Sequence, residues 1–410
     1  MLFLSAQSKL ALLSLGHSVA QEVADSRRSK DFETIRSRQA HYITWCKSNH
    51  IMDPVGPEPE WDYVIAIYIK SVMLGVNYWN KSFVRSATCE GYVLAVERLF
   101  VLRQIPSPVD LSDEGNYTKT IVKNLEKEEV IASQRKPLDK KIHAELINVA
   151  KQAGRNSLEA SVADIATNGK ATGWRAGEHS QTKLHEVDYH KYPSGKEVIR
   201  AINGNDAIFS DKNGKIFQIK RQSDLDRVHA VVMTWRIQKK RRNGQQIRLI
   251  VDRDHPDVCP ALAAARMAWR KARLRHSMTK PLAVFKDKKG KVCYVTQSKV
   301  TEVIRAAVKT VYPDMTKKGL MKYSCHSIRV WACVTLDEEG MSPDFIKCRL
   351  RWLGESYRVY LRDTNKINEK HMEALKSSAK KTVELLECSQ QEDSEIDQIY
   401  ADMGEYNDGD

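Results

Sequence analysis

The chain has 410 residues, which suits two domains of ordinary size and excludes a peptide or a miniprotein. Hydrophobic residues make up 42% and charged residues 29%, and the mean hydropathy is −0.50, so the composition is that of a folded, water-soluble protein rather than an integral membrane protein. The 66 Lys and Arg outnumber the 52 Asp and Glu to give a net charge of +14, which favours a polyanionic partner, nucleic acid first of all.

The N-terminal segment, residues 1–24, is apolar enough to be compared with a signal peptide. Lys9 interrupts it, and the remaining LALLSLG run is at the short limit for such a signal. We therefore expect an amphipathic helix or a poorly ordered arm. Later in the chain no apolar run approaches the roughly 18 residues of a membrane span, so no membrane association is expected.

Residues 25–135 show helical patterns with few strand signals, and prolines near residues 54–59 and 106–108 separate the helices. Apolar residues recur at steps of three and four in DFETIRSRQAHYITWCKSN, EWDYVIAIYIKSVML, SATCEGYVLAVERLFVLRQ and NYTKTIVKNLEKEEVIA. The polar, basic ASQRKPLDKK that follows reads as a linker, with the domain boundary near Arg135. This part of the chain is therefore predicted to be a separate helical domain.

The second domain, residues 136–382, is predicted to begin and end with helices and to hold a small antiparallel sheet between them. Strand-like runs are DAIFS, GKIFQI, VHAVVMTWRIQ and QQIRLIV, with hairpin turns at KNG and RRNG. Helices resume with PALAAARMAWRKARLR and SKVTEVIRAAVKTVY. The fold class is thus mainly α with a small antiparallel β-sheet, as a helical domain followed by an α+β domain.

The last segment, residues 383–410, has ten acidic residues and no Lys or Arg. Without it, 66 basic residues face 42 acidic ones, so the remaining body carries +24. We interpret the segment as a solvated, disordered tail rather than as a competitor of DNA. The chain's eight cysteines form no CxxC pair and no Cys/His cluster at zinc-ligand spacing. They indicate a reducing compartment, cytosol or nucleus, and no metal site.

The most informative stretch is residues 323–364, YSCHSIRVWACVTLDEEGMSPDFIKCRLRWLGESYRVYLRDT. His326 and Arg329 lie three residues apart on one face of a predicted helix, where both can reach one phosphate. Gly340 is predicted to end that helix, and the pair Ser342-Pro343 to begin one that runs through RLRW to Gly354. Ser356 can then cap a short helix that carries Tyr357 and Tyr360. Taken alone, the aromatic residues here would be core packing.

These residues resemble the C-terminal block of the tyrosine recombinases, the phage-integrase-like enzymes that break and rejoin DNA. In that family an HxxR is followed by His or Trp and then by a nucleophilic Tyr, and here Trp352 lies 23 residues beyond Arg329 and Tyr360 eight further on. The strings CHSIRVWA, RLRW and YLRDT further resemble recombinase-like proteins of eukaryotic Crypton-type mobile elements. A eukaryotic host and the nucleus follow from that likeness.

The resemblance implies two catalytic residues further upstream. GWRAGEHSQ supplies Arg175, the first catalytic arginine, with Glu178 three residues on as its buttress or as a helix ligand. The basic hairpin TWRIQKKRRNGQQIRLIV supplies a lysine, Lys239 or Lys240, of which Lys239 is preferred. Alternation along a strand lets only one of the two face DNA. Departures from the family are Trp352 in place of the commoner His and a polar insert, HEVDYHKYPSGKEVIRAINGN.

The implied reaction needs neither a metal nor a cofactor. Arg175 and Arg329 would hold the scissile phosphate, and His326 would bind it or help deprotonate the nucleophile. Tyr360 would form a 3′-phosphotyrosyl bond, with Tyr357 as the competing nucleophile. Lys239 would protonate the departing 5′ oxygen. Trp352 can donate one hydrogen bond but cannot transfer protons.

We expect a site-specific DNA recombinase or integrase of a mobile element, with double-stranded DNA as its partner and a homotetramer as its working form. The C-terminal stretch NKINEKHMEALKSSAKKTVELLE is expected to dock on a neighbouring protomer or to pack in cis. Two alternatives stay open: an enzyme like the type IB topoisomerases, and a catalytically silent DNA-binding protein. The target sequence and the direction of recombination cannot be inferred.

Overall fold

The computed structural model describes residues 29–56, 60–74, 84–103, 105–109, 115–128, 135–191, 196–238, 243–361, 372–377 and 379–380. The chain divides into two compact units, one of Met1–Ser133 with Asp188–Arg200 and one of Gln134–Val187 with Ala201–Asp410. The predicted N-terminal arm and acidic tail lie outside the described residues.

The first unit contains long helices at each of the four positions that the periodicity predicts, together with a short hairpin. Its elements are α1 Ser29–Ser48, α2 Trp61–Met73, α3 Ser86–Leu102, α4 Tyr117–Glu128, β1 Tyr189–Lys191 and β2 Glu197–Ile199. Helix α1 packs on α3 and α2 packs on α4. The core between them is rich in aromatic residues: Tyr42 and Tyr68 are fully buried with their rings 5.0 Å apart. The side chain of Asp62 accepts the first N–H groups of α4, from Tyr117 at 2.7 Å and Thr118 at 3.1 Å.

The second unit is mainly helical with small antiparallel sheets, as predicted. Its helices are α5 Lys140–Ala153, α6 Leu158–Thr172, α7 Ala176–His179, α8 Asp224–Arg227, α9 Pro260–Arg273, α10 Gln297–Val311, α11 Lys317–Leu320, α12 Ser327–Glu338 and α13 Pro343–Leu350. Its strands are β3 Ala207–Ser210, β4 Ile216–Phe217, β5 Ala230–Trp235, β6 Gln245–Ile250, β7 Val284–Lys286 and β8 Val292–Tyr294.

The predicted sheet is present, with four antiparallel strands in the order β4-β3-β5-β6. Strands β5 and β6 form its central hairpin, in which Trp235 and Gln245 are the last paired residues at the turn end. Strand β5 ends three residues before the predicted limit at Gln238. The reason is local: the Gln238 N–H donates to Asn243 Oδ1 at 2.6 Å, and the Gly244 N–H closes the hairpin onto the Trp235 carbonyl at 2.7 Å.

Two further hairpins were not predicted. Strands β1 and β2 lie within the supposed polar insert, and β7 and β8 lie where only helices were expected. Each has strands of three residues, too short for alternation to be visible in the sequence. The β7–β8 turn at Asp287–Lys291 is closed by Gly290, whose φ of 84° is costly for other residues.

Helix α6 lies at the centre of the second unit and contacts α5, α9, α10 and α12. Small residues let these neighbours approach closely, and a Cβ added to Gly169 would lie 2.4 Å from Cγ2 of the fully buried Ile328 in α12. The position of α12, which carries His326 and Arg329 at its start, thus depends on the shape of α6. Among the described residues, no helix combines the length and apolar character that crossing a bilayer requires, and every described cysteine is a free thiol.

We expect Gly169→Ala to destabilise the protein although alanine is the better helix former. The gain in helix propensity is about 1 kcal/mol, whereas overpacking against a rigid β-branched side chain costs roughly 1–3 kcal/mol. Urea unfolding measures the net change. Gly177→Ala is the matched control, because a Cβ at Gly177 meets no atom within 4 Å. Equal stability of the two variants would show that α12 moves freely against α6.

Candidate active site

The start of α12 brings His326 and Arg329 to one place, as the three-residue spacing predicts. His326 occupies the N-cap position, and Arg329 follows within the first turn and is buried. The Arg329 guanidinium donates to the carbonyl oxygen of Gly173, at the end of α6, and to that of Leu350, at the end of α13, the latter at 3.1 Å. These carbonyls belong to helix C-termini, whose partial negative charge stabilises a buried cation.

Helix α13 begins as predicted and ends earlier than predicted. Ser342 caps it by accepting the Phe345 N–H at 3.2 Å, with Pro343 as the first helical residue. The helix ends at Leu350 rather than continuing to Gly354, because Arg351 adopts a left-handed conformation with φ 62° and ψ 44°. The next element is a 3₁₀ helix, Glu355–Tyr360, with Gly354 rather than Ser356 at its N-cap position.

Tyr360, at the end of this 3₁₀ helix, faces His326. Its Oη lies 3.0 Å from His326 Nε2, a hydrogen bond between a candidate nucleophile and a candidate base. Tyr357, one turn earlier, is only 2% exposed and belongs to a small buried cluster with Ala332, Cys333 and Leu350, against which the partly buried Tyr360 also packs. The structure therefore favours Tyr360 over Tyr357 as the residue able to reach a substrate.

Trp352 packs between Tyr360 and an arginine. The Trp352 ring centroid lies 5.7 Å from the Tyr360 ring centroid. On the Arg329 side, the guanidinium carbon of Arg329 lies 4.1 Å from the Trp352 ring centroid. Stacking of this kind holds a guanidinium in a fixed plane. The aromatic residues here both pack together and border the candidate site.

Arg175 precedes the short helix α7 and pairs with Glu178. Its Nη1 lies 2.8 Å from Glu178 Oε1, and its backbone N–H donates to Glu178 Oε2 at 2.9 Å. Glu178 is thus both a buttress of Arg175 and a ligand of the helix start, two roles that the resemblance offered as alternatives. The Arg175 side chain keeps 29% of its surface exposed, so it can still meet a substrate.

A third arginine, Arg351, was not predicted to belong to the site. Its fully buried guanidinium donates to Glu178 Oε2 at 2.7 Å and to the Thr172 carbonyl at 2.8 Å, and it stacks on the Trp235 ring at 3.9 Å. The Trp235 Nε1 donates to the same Glu178 oxygen at 3.1 Å. Arg351 lies in the RLRW string, but no periodicity or spacing rule marks it for this position.

We call Arg175, Arg329, Arg351 and Glu178 the arginine cluster. Three guanidinium groups and one carboxylate give it a net charge of +2, which favours an anion with spread negative charge such as a phosphodiester. Burial lowers the pKa of Arg329 to about 9 and that of Arg351 to about 10, so both stay charged at neutral pH. Burial alone would raise the pKa of Glu178, but Arg351 and Arg175 bring it below its ordinary value.

The two candidate proton-transfer groups have shifted pKa values that fit a base and an acid. Burial, followed by the charges of Arg329 and Arg135, lowers the pKa of His326, which leaves its imidazole neutral at pH 7. Burial raises the pKa of Tyr360 despite the opposing effect of Arg329. Tyr360 is therefore protonated at neutral pH and needs a base, and His326 is in contact with it.

Lys239 and Lys240 follow β5 and precede β6 in the sequence and lie outside the described residues, so the choice between them stays a prediction. The described part of the chain holds no group of three or more His, Cys, Asp or Glu side chains that could bind a metal ion.

No protein-family model matches the sequence, and no curated protein matches it significantly. Among solved structures, the XerA recombinase is similar over 88% of this chain and 98% of its own, with 12% identity and a TM-score of 0.33. The XerH site-specific recombinase, solved in a post-cleavage complex with its palindromic difH substrate, covers 76% and 71% with 12% identity and a TM-score of 0.45. The Tn1549 transposon integrase bound to transposon right end DNA covers 83% and 93% with 12% identity and a TM-score of 0.43.

We expect Glu178→Gln to destabilise the protein at pH 7 by about 3 kcal/mol or more, because it leaves a buried arginine without its counterion. Since the pKa of Glu178 is depressed on folding, its stabilisation is full above the unfolded pKa and is lost as pH falls through the folded one. The variant should therefore lose less stability than wild type on acidification, measured by urea unfolding at pH 7 and pH 4. Glu186→Gln is the control, since its ion pair with Lys183 is exposed. Parallel losses on acidification in all three proteins would contradict the assignment.

Proposed function

We propose that the protein is a DNA breaking and rejoining enzyme, a site-specific recombinase or integrase that works through a 3′-phosphotyrosyl intermediate. The observation that carries the proposal is the Tyr360 hydroxyl in hydrogen-bond contact with the neutral His326, 3.0 Å away, beside an arginine cluster of net positive charge. A nucleophile, its base and a charge-stabilising group are the three parts that phosphoryl transfer requires.

In the proposed reaction, Tyr360 Oη attacks the scissile phosphorus, its proton passes to His326, and the bond from phosphorus to the 5′ oxygen breaks. Lys239, or Lys240 in its place, donates a proton to that leaving oxygen. One diester is exchanged for another, so the bond energy is kept for rejoining, in which a 5′ hydroxyl attacks the phosphotyrosine. Arg175 and Arg329 neutralise the nonbridging oxygens, and Trp352 holds Arg329 in plane.

Double-stranded DNA is the proposed partner. The charge of +24 on residues 1–383 supports binding that weakens with salt, through release of counterions from the phosphates. A homotetramer on DNA, a mobile element as source and the nucleus as location are proposed from the sequence resemblance; the stretch from Asn365 expected to join protomers lies mostly outside the described residues.

We expect wild type to form a covalent adduct on nicked suicide DNA substrates of pooled sequence, without metal, and Tyr360→Phe to form none. Tyr357→Phe is the matched control: it also removes one hydroxyl, but from a ring that is only 2% exposed. Denaturing gels detect the adduct.

An adduct that persists in Tyr360→Phe and is lost in Tyr357→Phe would move the nucleophile to Tyr357. Tight DNA binding with no adduct in wild type, over a substrate pool that contains the element's own flanking sequence, would favour the silent binding protein. Relaxation of supercoiled DNA without strand exchange would favour a topoisomerase.

We expect the single-turnover rate of adduct formation to be constant between pH 7 and 9 and to fall below pH 6.5 by about tenfold per unit once the folded pKa of His326 is passed. Protonated His326 cannot accept the Tyr360 proton, and its pKa lies below the ordinary 6.5. A His326→Gln variant should be slower throughout and lack this dependence. A decline that begins above pH 7, or that persists in His326→Gln, would exclude His326 as the base.

A further inference from the structure

Arg351 occupies a backbone position that ordinarily suits glycine. It terminates α13 with φ 62° and ψ 44°, the left-handed region that side chains with a Cβ disfavour. Its side chain is also buried to 0% exposure, and its Nε has no hydrogen-bond partner among the described residues. A strained backbone and a desolvated charge persist together only where other contacts offset them, and such positions cluster at functional sites.

The offsetting contacts all concern the group that holds Arg175. The Arg351 side chain binds Glu178 Oε2 at 2.7 Å, while Glu178 Oε1 binds Arg175 Nη1 at 2.8 Å. The carbonyl oxygen of Arg351 in addition accepts from Arg175 Nη2 at 3.4 Å. Both the main chain and the side chain of one residue therefore restrain the Arg175 guanidinium.

Arg351 also determines how much of the positive charge of Arg175 remains available to a substrate. If Glu178 paired with Arg175 alone, the two charges would cancel. Because Arg351 takes the second carboxylate oxygen, Glu178 is balanced by a buried cation, and the partly exposed Arg175 keeps its positive charge for a substrate. Stacking on Trp235 and the bond to the Thr172 carbonyl hold Arg351 in place for this.

We propose that Arg351 is a positioning residue of the cleavage site: it fixes Glu178, and through Glu178 it orients Arg175 toward the scissile phosphate. This inference rests on the proposed function, in which Arg175 contacts that phosphate. Arg351 itself touches no reacting atom.

The test compares Arg351→Met, Arg351→Gly and Arg351→Lys. Methionine removes the charge at similar length, glycine also relieves the left-handed backbone, and lysine restores one charge without the forked geometry. We expect the adduct-forming rate at saturating suicide substrate to fall on the order of 10- to 100-fold in Met and Gly, with partial recovery in Lys, because small misplacement of a phosphate ligand is costly. The Kd for DNA should change less than threefold.

Arg270→Met is the matched control for loss of a buried ion pair. Arg270 pairs with Asp164 at 2.6 Å, and neither residue contacts the arginine cluster. This variant should lose stability and, in its folded form, cleave like wild type. An Arg351→Gly variant that cleaves like wild type would overturn the inference, since the side chain would then have no role.

A second readout does not require cleavage. In protein carrying ¹³C-labelled glutamate, with the Glu178 signal assigned through Glu178→Gln, the carboxyl pKa should rise by one unit or more in Arg351→Met and stay unchanged in Arg270→Met. An unchanged Glu178 pKa in folded Arg351→Met overturns the positioning role by itself. Absence of a wild-type adduct would instead defeat the proposed function, so the two failures are distinguishable.

Discussion

The site depends on one buried carboxylate, Glu178, shared between two arginines. One oxygen binds Arg175, and the other accepts from Arg351, from the Trp235 indole and from the Arg175 main chain. These donors come from three separate parts of the second unit: the start of α7, the end of α13 and strand β5. A single carboxylate therefore ties together segments that are distant in sequence and sets the place of each relative to the others.

Helix ends complete this arrangement. The last carbonyls of α6 and α13 have no partners within their own helices, and Arg329 and Arg351 fill that need at Gly173, Leu350 and Thr172. Arg329 and Arg351 thereby place N–H groups on helix-end dipoles rather than on further carboxylates. Because dipoles leave the net charge unchanged, the cluster remains cationic although it is largely buried, which is the condition for attracting a phosphodiester.

Much of this could be predicted from the sequence, and the exceptions have physical causes. The four helices of the first unit follow the apolar period within a few residues, and the HxxR spacing correctly brings His326 and Arg329 to one helix start. Arg351 was not predicted because no sequence propensity places an arginine in the left-handed backbone conformation. Partners distant in sequence, such as Glu178, fix it there. The hairpins β1–β2 and β7–β8 were not predicted because three-residue strands are held by pairing, which no local pattern records.

Tyr360, the candidate nucleophile, is carried by a segment with little anchorage of its own. The 3₁₀ helix Glu355–Tyr360 packs through the buried Tyr357 and the partly buried Tyr360 on a small cluster separate from the main core, whereas Arg329 is bound at the ends of α6 and α13. Local opening of such a segment costs far less free energy than global unfolding. The segment that carries Tyr360 can therefore open locally while the arginine cluster stays assembled, so the hydroxyl and the arginines behave as two independently cooperative parts of the second unit.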